Sequence, residues 1–156
     1  MSLMKYKSPF GTITIQVKDN RIYRVYLPNA EPDITENPAE STELLKKVKT
    51  QLDEYFGGKR KAFDLPLDFD NRRVFYKKVY DELLKIPYGE TASYKQIAER
   101  AGSPKGYRSV GLANHKNPLP IIIPCHRVIG SDGDFTGYAG GTDMKIKLLE
   151  LEKNNI

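Results

Sequence analysis

The amino-acid sequence predicts an α+β protein, with a small sheet-and-helix unit over residues 1–68 and a mostly helical unit over residues 69–156. Three observations lead to this prediction. Polar and apolar residues alternate over residues 12–18, which is the period of a half-buried strand. An apolar stripe at helical spacing then ends at a Gly-Gly pair, residues 57–58. From residue 71 onward, most apolar residues recur at helical spacing.

The first unit is predicted to contain a two-stranded hairpin. In the strand over residues 12–18, the apolar residues point to one side, and polar residues such as Thr14 and Gln16 point to the other. An Asp-Asn pair at residues 19–20 is expected to form the turn, and residues 21–27 the returning strand.

A loop, a helix and a short strand complete this unit. Residues 28–40 are rich in Pro, Glu and Asn and predict a loop, after which Ser41 can cap a helix. A short strand is expected at Phe63, Leu65 and Leu67. The predicted apolar face of the helix consists of Leu44, Leu45, Val48, Leu52, Tyr55 and Phe56.

The second unit is predicted to begin with a helix over residues 71–85. Its apolar stripes include Leu83 and Leu84, and the Pro-Tyr-Gly sequence at residues 87–89 breaks it. Ser93 and Gln96 then have the spacing of a capping box, which opens the next helix.

A helix-turn-helix pattern follows. The helix that ends at Gly102 is separated by a short break from a helical stretch near residues 105–115. The second stretch combines Arg108 with the small residues Gly111 and Ala113, which resembles a helix-turn-helix, although many ordinary helix pairs share this pattern.

Prolines and isoleucines next predict a buried segment. Residues 117–124 contain three prolines around Ile-Ile-Ile, which excludes a regular helix and predicts an extended segment that holds Cys125 in a fixed place. Residues 130–141 are rich in glycine and predict a loop. Residues 143–153 predict a final helix, with Met144, Leu148 and Leu151 inward.

Composition limits the function classes. The net charge is +5, and residues 93–127 carry six Lys or Arg against Glu99 alone, a local field that suits either a polyanion or a plain solvated surface. A single cysteine excludes an internal disulfide and a Cys-rich zinc site, and it fits a reducing compartment. We expect no bound metal or cofactor.

The sequence also predicts where the protein acts. No apolar run approaches the roughly 18 residues that a membrane helix needs. The first residues lack the apolar core of a signal peptide. We therefore expect a monomer in the cytoplasm, or in the nucleus of a eukaryote.

The lone cysteine is the candidate nucleophile. A lone intracellular Cys is usually an inert buried thiol that packs like a small hydrophobe. Here Pro124 precedes Cys125, and a helical turn that starts there would lower the thiol pKa and favour the thiolate. His126 can act as a base, and it would act through a water because adjacent side chains rarely face each other.

These residues resemble the signature of the O6-alkylguanine-DNA alkyltransferases, also called methylated-DNA–protein-cysteine methyltransferases. Pro-Cys-His-Arg-Val at residues 124–128 follows Asn-Pro-x-Pro and an isoleucine run. The resemblance covers residues 70–156, whereas residues 1–69 match in architecture alone. It implies a ribonuclease-H-like first domain and a winged-helix-like second domain with a helix-turn-helix. The other matching segments are Pro87-Tyr88-Gly89-Glu90, Ser93-Tyr94-x-Gln96, Arg108-x-Val110-Gly111 and Tyr138-x-Gly140-Gly141.

The resemblance implies direct-reversal DNA repair. An alkyl group would pass once, irreversibly, from O6-alkylguanine or O4-alkylthymine in double-stranded DNA to Cys125, after the nucleotide has flipped out. His126 would take the thiol proton, and Glu152 would orient His126. Asn117 would hold the turn by side-chain hydrogen bonds. Tyr94 would donate its hydroxyl to the leaving base.

The resemblance also implies a DNA-binding surface and a pocket. The second helix would enter the minor groove, where Arg108 would fill the gap left by the flipped nucleotide. The carbonyl groups of Cys125 and Val128 would accept from the guanine amino group. The residues expected at DNA are Ser93, Tyr94, Lys105, Arg108, Gly111, Ala113 and Arg127, and those expected in the pocket are Pro120, Val128, Tyr138 and Ala139.

One pocket residue departs from many relatives. The backbone amide of Ala139 would face O6, and many relatives have Ser at this position. Because a main-chain donor survives the change to Ala, the chemistry is expected to remain while the tolerance of the pocket differs.

Three alternatives stay open at this point. A lesion-binding relative without repair activity would replace the reactive Cys, commonly with Trp, but Cys125 is present. A cysteine hydrolase would usually place Cys and His far apart in sequence, and it would need an oxyanion hole. A helix-turn-helix regulator would need no Cys.

Overall fold

The predicted α+β class is confirmed by a computed structural model, which describes residues 2–30, 32, 42–70, 72–131, 138 and 141–156. The strands are β1 (Ser2–Ser8), β2 (Gly11–Lys18), β3 (Arg21–Tyr26), β4 (Ala92–Ser93) and β5 (Val128–Ile129). The helices are α1 (Thr42–Phe56), α2 (Val74–Leu83), α3 (Tyr94–Arg100), α4 (Tyr107–His115) and α5 (Thr142–Asn154). Short 3₁₀ turns span Pro28–Ala30 and Cys125–Arg127.

Strands β1, β2 and β3 form an antiparallel sheet with β2 in the centre. The turn predicted between β2 and β3 is confirmed. Asp19 and Asn20 both have positive φ, 52° and 58°, as a two-residue hairpin turn requires and as Asp and Asn tolerate. Strand β1 was not predicted, because its buried residues, Leu3 and Tyr6 among them, do not alternate regularly.

Strand β2 is buried on both faces, so the prediction of a half-buried strand is wrong. Thr14 and Gln16, expected to face outward, are 2% and 6% exposed. Tyr26 pairs with Thr14 across the sheet, and its hydroxyl donates to Gln16 Oε1 at 3.2 Å. The aromatic side chain of the neighbouring strand therefore helps to cover the polar face.

Helix α1 packs its predicted apolar face against the sheet and ends before Gly58, whose φ of 76° stops the helix. The short strand predicted from Phe63 to Leu67 is wrong. Only an isolated bridge joins Leu67 to Ile22, with hydrogen bonds on either side of it. Pro66 lies within this segment, and a proline cannot donate to a ladder.

Helices α2, α3 and α4 form the core of the second unit. Helix α2 is shorter than predicted, and Leu84 beyond its end is 42% exposed rather than inward. The capping box at the start of α3 is confirmed: Ser93 Oγ accepts from the amide of Gln96 at 3.1 Å, and Gln96 Oε1 accepts from the amide of Ser93 at 2.8 Å. Helices α3 and α4 pack together as the helix-turn-helix pattern predicts.

The proline-isoleucine segment before Cys125 is buried, but it is not extended throughout. Ile121 has a φ of 74°, and the amide of Ile123 donates to the carbonyl of Leu119 at 2.8 Å, which closes a tight turn. The amide of Val25 in β3 donates to the carbonyl of Pro118 at 2.8 Å. This bond joins the segment to the N-terminal sheet, and the buried side chains of both units form one cluster.

The final helix and the predicted loops agree with the sequence as far as they are described. In α5, Met144 and Leu148 are buried, and Leu151 is partly buried. Ser41 and residues 33–40 and 132–137 lie outside the described residues. Among the described residues, no helix is long and apolar enough to cross a membrane.

Thr14→Val should stabilise the fold. Thr14 Oγ1 is buried without a hydrogen-bond partner among the described residues. Replacing it with a methyl of similar shape removes the desolvation cost and should raise the free energy of unfolding by up to about 1 kcal/mol. Urea denaturation measures this, with Thr12→Val at a less buried site as the control. A lower stability for Thr14→Val than for Thr12→Val would show that the hydroxyl is satisfied.

Candidate active site

Cys125 begins the 3₁₀ turn that links the buried proline-isoleucine segment to β5. Its amide donates to the carbonyl of Ile123 at 2.7 Å, and the amide of Arg127 donates to the carbonyl of Pro124 at 3.0 Å. These bonds fix the backbone on both sides of the thiol. The side chain of Cys125 is 1% exposed.

The expected low pKa of the cysteine is wrong for this conformation. Burial raises the pKa of Cys125 to about 11, although a hydrogen bond with Asn117 and the charge of Lys145 oppose the rise. A three-residue turn has too few aligned peptides to act as a helix N-terminus. The thiol is therefore protonated while it remains enclosed.

His126 and Glu152 form a buried pair next to the cysteine. His126 Nε2 lies 2.6 Å from Glu152 Oε2, and the two side chains are 0% and 1% exposed. Burial lowers the pKa of His126 despite the carboxylate, so the ring is neutral at neutral pH. Because an ionised carboxylate can only accept, the proton is assigned to Nε2 and the lone pair to Nδ1. Nδ1 is buried without a partner among the described residues.

Other donors converge on the same carboxylate. Arg127 donates through Nε to Oε1 at 2.8 Å and through Nη2 to Oε2 at 3.1 Å. The hydroxyl of Tyr55 donates to Oε2 at 2.7 Å, and the amide of Gly89 donates to Oε1 at 3.3 Å. Burial disfavours the charged carboxylate, but the bonds from His126 and Arg127 outweigh it and hold the pKa of Glu152 well below its usual range.

Arg127 was expected at the DNA, and the structure corrects this. Its side chain is buried, and beyond its two bonds to Glu152 it donates through Nη1 to the carbonyl of Ile86 at 2.8 Å. Sequence position within a basic stretch does not separate an exposed cation from one that neutralises a buried carboxylate.

Two asparagines hold the cysteine turn. Asn117 Nδ2 donates to the carbonyl of Ile123 at 2.9 Å, and its Oδ1 accepts from the amide of Leu119 at 3.0 Å. Asn114 Nδ2 donates to the carbonyl of Cys125 at 3.1 Å. Asn114 was not predicted from the sequence.

The two carbonyl groups expected to meet guanine already accept bonds from the protein. The carbonyl of Cys125 accepts from Asn114, and that of Val128 accepts from Nζ of Lys145, which is 0% exposed. A carbonyl has two lone pairs, so that of Val128 can accept a further bond. The carbonyl of Cys125 also accepts from the amide of Val128, which engages both of its lone pairs. Lys145 Nζ also lies 6.0 Å from the ring centroid of Tyr94, which places Tyr94 on the same side of the site.

The predicted pocket residues divide into two groups. Val128 and Tyr138 are buried, and the charge of a Cys125 thiolate acts on the Tyr138 hydroxyl. Pro120 instead lines a cavity of about 180 Å³ with residues of β3 and the end of α4, and Cys125 is not part of that lining. Ala139 lies outside the described residues.

The helix-turn-helix presents an exposed basic face. Lys105 and Arg108 are exposed, and a Cβ added at Gly111 would meet nothing within 4 Å. Ala113 was expected on this face but is 0% exposed, because it lies three residues after buried Val110 on the inward side of α4. Ser93 is committed to the capping box.

Both parts of the chain match one family. A family model described as the DNA binding domain of 6-O-methylguanine DNA methyltransferase matches residues 74–154. A second, described as the ribonuclease-like domain of that enzyme, matches residues 1–69. The chain belongs to the 6-O-methylguanine DNA methyltransferase family.

Individual relatives cover nearly the whole chain. The methylated-DNA–protein-cysteine methyltransferase of Methanosarcina barkeri is 46% identical over 96% of each chain. The constitutive enzyme of Bacillus subtilis is 42% identical over 94% of this chain and 92% of its own. The structure of Mycobacterium tuberculosis OGT in complex with DNA aligns with a TM-score of 0.85 at 38% identity, and covers 99% of this chain and 94% of that one.

Three residues at the candidate active site of this methyltransferase family member, and one on its exposed basic face, were not predicted from the sequence. The residues around Tyr55 and Lys145 form no motif that indicates a role at the site, because each position is typical of an ordinary helix. Asn114 could have been noticed as a polar residue on an inward helix face. Tyr107, 40% exposed with Lys95 and Arg108 about its ring, could have been noticed as an aromatic within a basic stretch.

Acid should destabilise this methyltransferase through His126 and then Glu152. Both have a lowered pKa in the folded state. The unfolded chain therefore binds protons that the native state does not, first below about pH 6.5 at the imidazole and then below about pH 4.3 at the carboxylate. Stability is present above these values and is lost as the pH falls.

Urea denaturation between pH 8 and pH 5 measures this loss. As the pH falls, the histidine should lower the free energy of unfolding by up to about 1.4 kcal/mol per pH unit. His126→Asn should flatten the slope. The control is His115→Asn, the same change at an exposed position. Equal slopes in wild type and His126→Asn would contradict the prediction.

Proposed function

We infer that this protein is a methylated-DNA–protein-cysteine methyltransferase, which takes the methyl group from O6-methylguanine in DNA and keeps it on Cys125. The observation that carries this inference is the pairing of His126 with Glu152 directly beside the single cysteine, in a chain that matches both domains of the family. O4-alkylthymine and larger alkyl groups are further candidate substrates.

We propose that His126 is the base. Its Nδ1 carries the free lone pair, and its Nε2 is held by Glu152, whose negative charge stabilises the imidazolium that forms. The thiol proton passes through a water to Nδ1, because neighbouring side chains do not face each other. Loss of this proton supplies the thiolate that burial otherwise disfavours.

The transfer itself is a direct displacement. The sulfur of Cys125 attacks the methyl carbon, a C–S bond forms, and the bond between that carbon and O6 breaks. The purine leaves with the electron pair, and the hydroxyl of Tyr94 donates to the developing anion. Tyr94 is partly buried and lies beside Lys145, whose positive charge favours both the thiolate and the leaving anion.

The buried sulfur sets a condition on this reaction. Cys125 is 1% exposed. The flipped guanine base can therefore reach the thiol only after the side chains around it have moved. The carbonyl groups of Cys125 and Val128, and the amide of Ala139, are the groups proposed to bind the base once it enters.

We propose double-stranded DNA as the partner, since Mycobacterium tuberculosis OGT has been solved in complex with DNA. Helix α4 would lie in the minor groove with Arg108 and Gly111 toward the bases and Lys105 toward a phosphate. Arg108 would occupy the space of the flipped nucleotide. The protein would act as a monomer in a reducing, cytoplasmic or nuclear compartment.

We propose that the chain consists of two domains with a boundary at residue 68. Residues 1–68 would form the ribonuclease-H-like domain that supports the site, and residues 69–156 would bind DNA and accept the alkyl group. A cysteine hydrolase is disfavoured, because Cys125 and the buried His126 are adjacent in sequence, whereas such hydrolases usually place Cys and His far apart.

Each molecule should react once. The product is a thioether, whose C–S bonds thiols do not cleave, so the single cysteine would stay alkylated. After incubation with a duplex that contains labelled O6-methylguanine, mass spectrometry should find one added methylene on the peptide that contains Cys125. Repaired DNA and alkylated protein should form in equal amounts.

Cys125→Ala is the control for this experiment. It should abolish transfer while leaving DNA affinity nearly intact, because the side chain is buried. A molar excess of repaired DNA over protein, or transfer by Cys125→Ala, would contradict the proposed function.

Arg108→Ala should slow transfer from duplex DNA by roughly tenfold or more, since flipping a nucleotide costs a few kcal/mol that the guanidinium would offset. Transfer from the free base O6-methylguanine should be unchanged, because no flipping is needed. Single-turnover kinetics measure both rates. Lys105→Ala is the matched control. It should weaken DNA binding and reduce the slope of log K against log salt concentration by about one unit. The transfer rate at saturating DNA should change little. Equal slowing of both substrates by Arg108→Ala would refute this role.

A further inference from the structure

The carboxylate that holds His126 is also bound by a residue of the N-terminal unit. Tyr55 lies near the end of α1, is 0% exposed, and donates its hydroxyl to Glu152 Oε2 at 2.7 Å across 97 residues of sequence. We propose that Tyr55 is a positioning residue for methyl transfer, which fixes the Glu152 oxygen that in turn fixes His126. This proposal rests on the proposed function.

The ring of Tyr55 has little freedom to move. Its centroid lies 5.3 Å from that of Phe63, 5.2 Å from that of Phe56 and 6.3 Å from that of Tyr88. Aromatic contacts on several sides hold the ring, so the hydroxyl is presented to Glu152 at a defined position. The N-terminal unit thus places a rigid donor inside the site of the C-terminal unit.

The Tyr55 hydroxyl donates to the same carboxylate oxygen, Glu152 Oε2, that His126 contacts. Oε2 accepts from Tyr55, from His126 Nε2 and from Arg127, whereas Oε1 accepts from Arg127 and Gly89. With both oxygens engaged, the carboxylate cannot rotate. A fixed carboxylate fixes Nε2 of His126 and thereby the direction of the Nδ1 lone pair.

The Tyr55 hydroxyl also supplies one of the three hydrogen bonds that share the negative charge of Oε2. Without it, the carboxylate would attract a protonated His126 more strongly, and His126 would remain protonated to a higher pH. His126 can serve as a base only after it has lost that proton. Tyr55 therefore keeps the base available at a lower pH.

Other groups face the same pair and would stay in place when Tyr55 is changed. The 3₁₀ turn, α5 and the segments around them contribute Cys125, Arg127, Lys145, Tyr88 and Tyr138. Because these groups are common to wild type and Tyr55→Phe, a difference in pH dependence between the two proteins reports the Tyr55 hydroxyl.

Tyr55→Phe tests the proposal, because it removes one oxygen atom and keeps the packed ring. Single-turnover methyl transfer from saturating duplex is measured from pH 5 to pH 9. The rate at pH 7 should fall several-fold, and the acid limb of the profile should move to higher pH by roughly half a unit. DNA affinity should be unchanged, since Tyr55 is buried away from α4's exposed face.

Tyr88→Phe is the matched control. Tyr88 packs edge-on to Tyr55, and its buried hydroxyl has no hydrogen-bond partner among the described residues. It should retain the wild-type profile. Restoring a donor at position 55 with 4-aminophenylalanine should return the acid limb of the profile to that of wild type.

The outcomes separate the possibilities. If Tyr55→Phe lowers thermal stability but leaves the pH profile in place, Tyr55 is structural and the proposal is overturned. The same holds if Tyr55→Phe and Tyr88→Phe shift the profile equally. A wild-type protein that transfers no methyl group would instead refute the proposed function, whatever Tyr55 does.

Discussion

A carboxylate that is 1% exposed remains ionised only when its surroundings replace the water that it has lost, and Glu152 is in this position. Donors from α1, from the turn at Gly89 and from the 3₁₀ turn supply that replacement. The convergence has a geometric consequence. Each of these chain segments must be in its native place for the carboxylate to be satisfied, so the fold and the orientation of His126 depend on the same set of bonds.

Burial of Cys125 would reconcile a reactive residue with the proposed single use of that residue. An exposed thiolate is readily oxidised, whereas a buried thiol with a raised pKa is inert. The base that would remove its proton lies in the adjacent residue, also buried and neutral. Under the proposed mechanism, reactivity would be coupled to the arrival of a substrate that opens the site and offers the methyl carbon.

Structural features that depend on a few neighbouring residues were predicted correctly from the sequence. The hairpin turn, the capping box of α3 and the two helices of the helix-turn-helix follow from the spacing of a few neighbouring residues, and the structure contains them. The Cys-His pair was visible because its members are adjacent.

Contacts between distant segments could not be predicted in this way. Tyr55 meets Glu152 across 97 residues, and Lys145 meets Val128 through a buried bond that no spacing indicates. Charge also misled: Arg127 lies in the most basic stretch of the chain, yet its guanidinium neutralises a carboxylate inside the protein. The strand predicted at β2 is present, but its predicted half-burial is wrong, because alternation does not show what covers the polar face.

Helix α4 connects the proposed DNA surface with the cysteine. Arg108 near its start is exposed, and Asn114, six residues later on the inward side, donates to the carbonyl of Cys125. Six residues of helix span only about 9 Å. The hydroxyl of Tyr80 in α2 donates to the carbonyl of Ala113 at 2.9 Å and secures the inner end of this helix. Since a short, anchored helix moves as a unit, the proposed binding of its outer face to DNA would fix the position of the cysteine turn relative to the duplex.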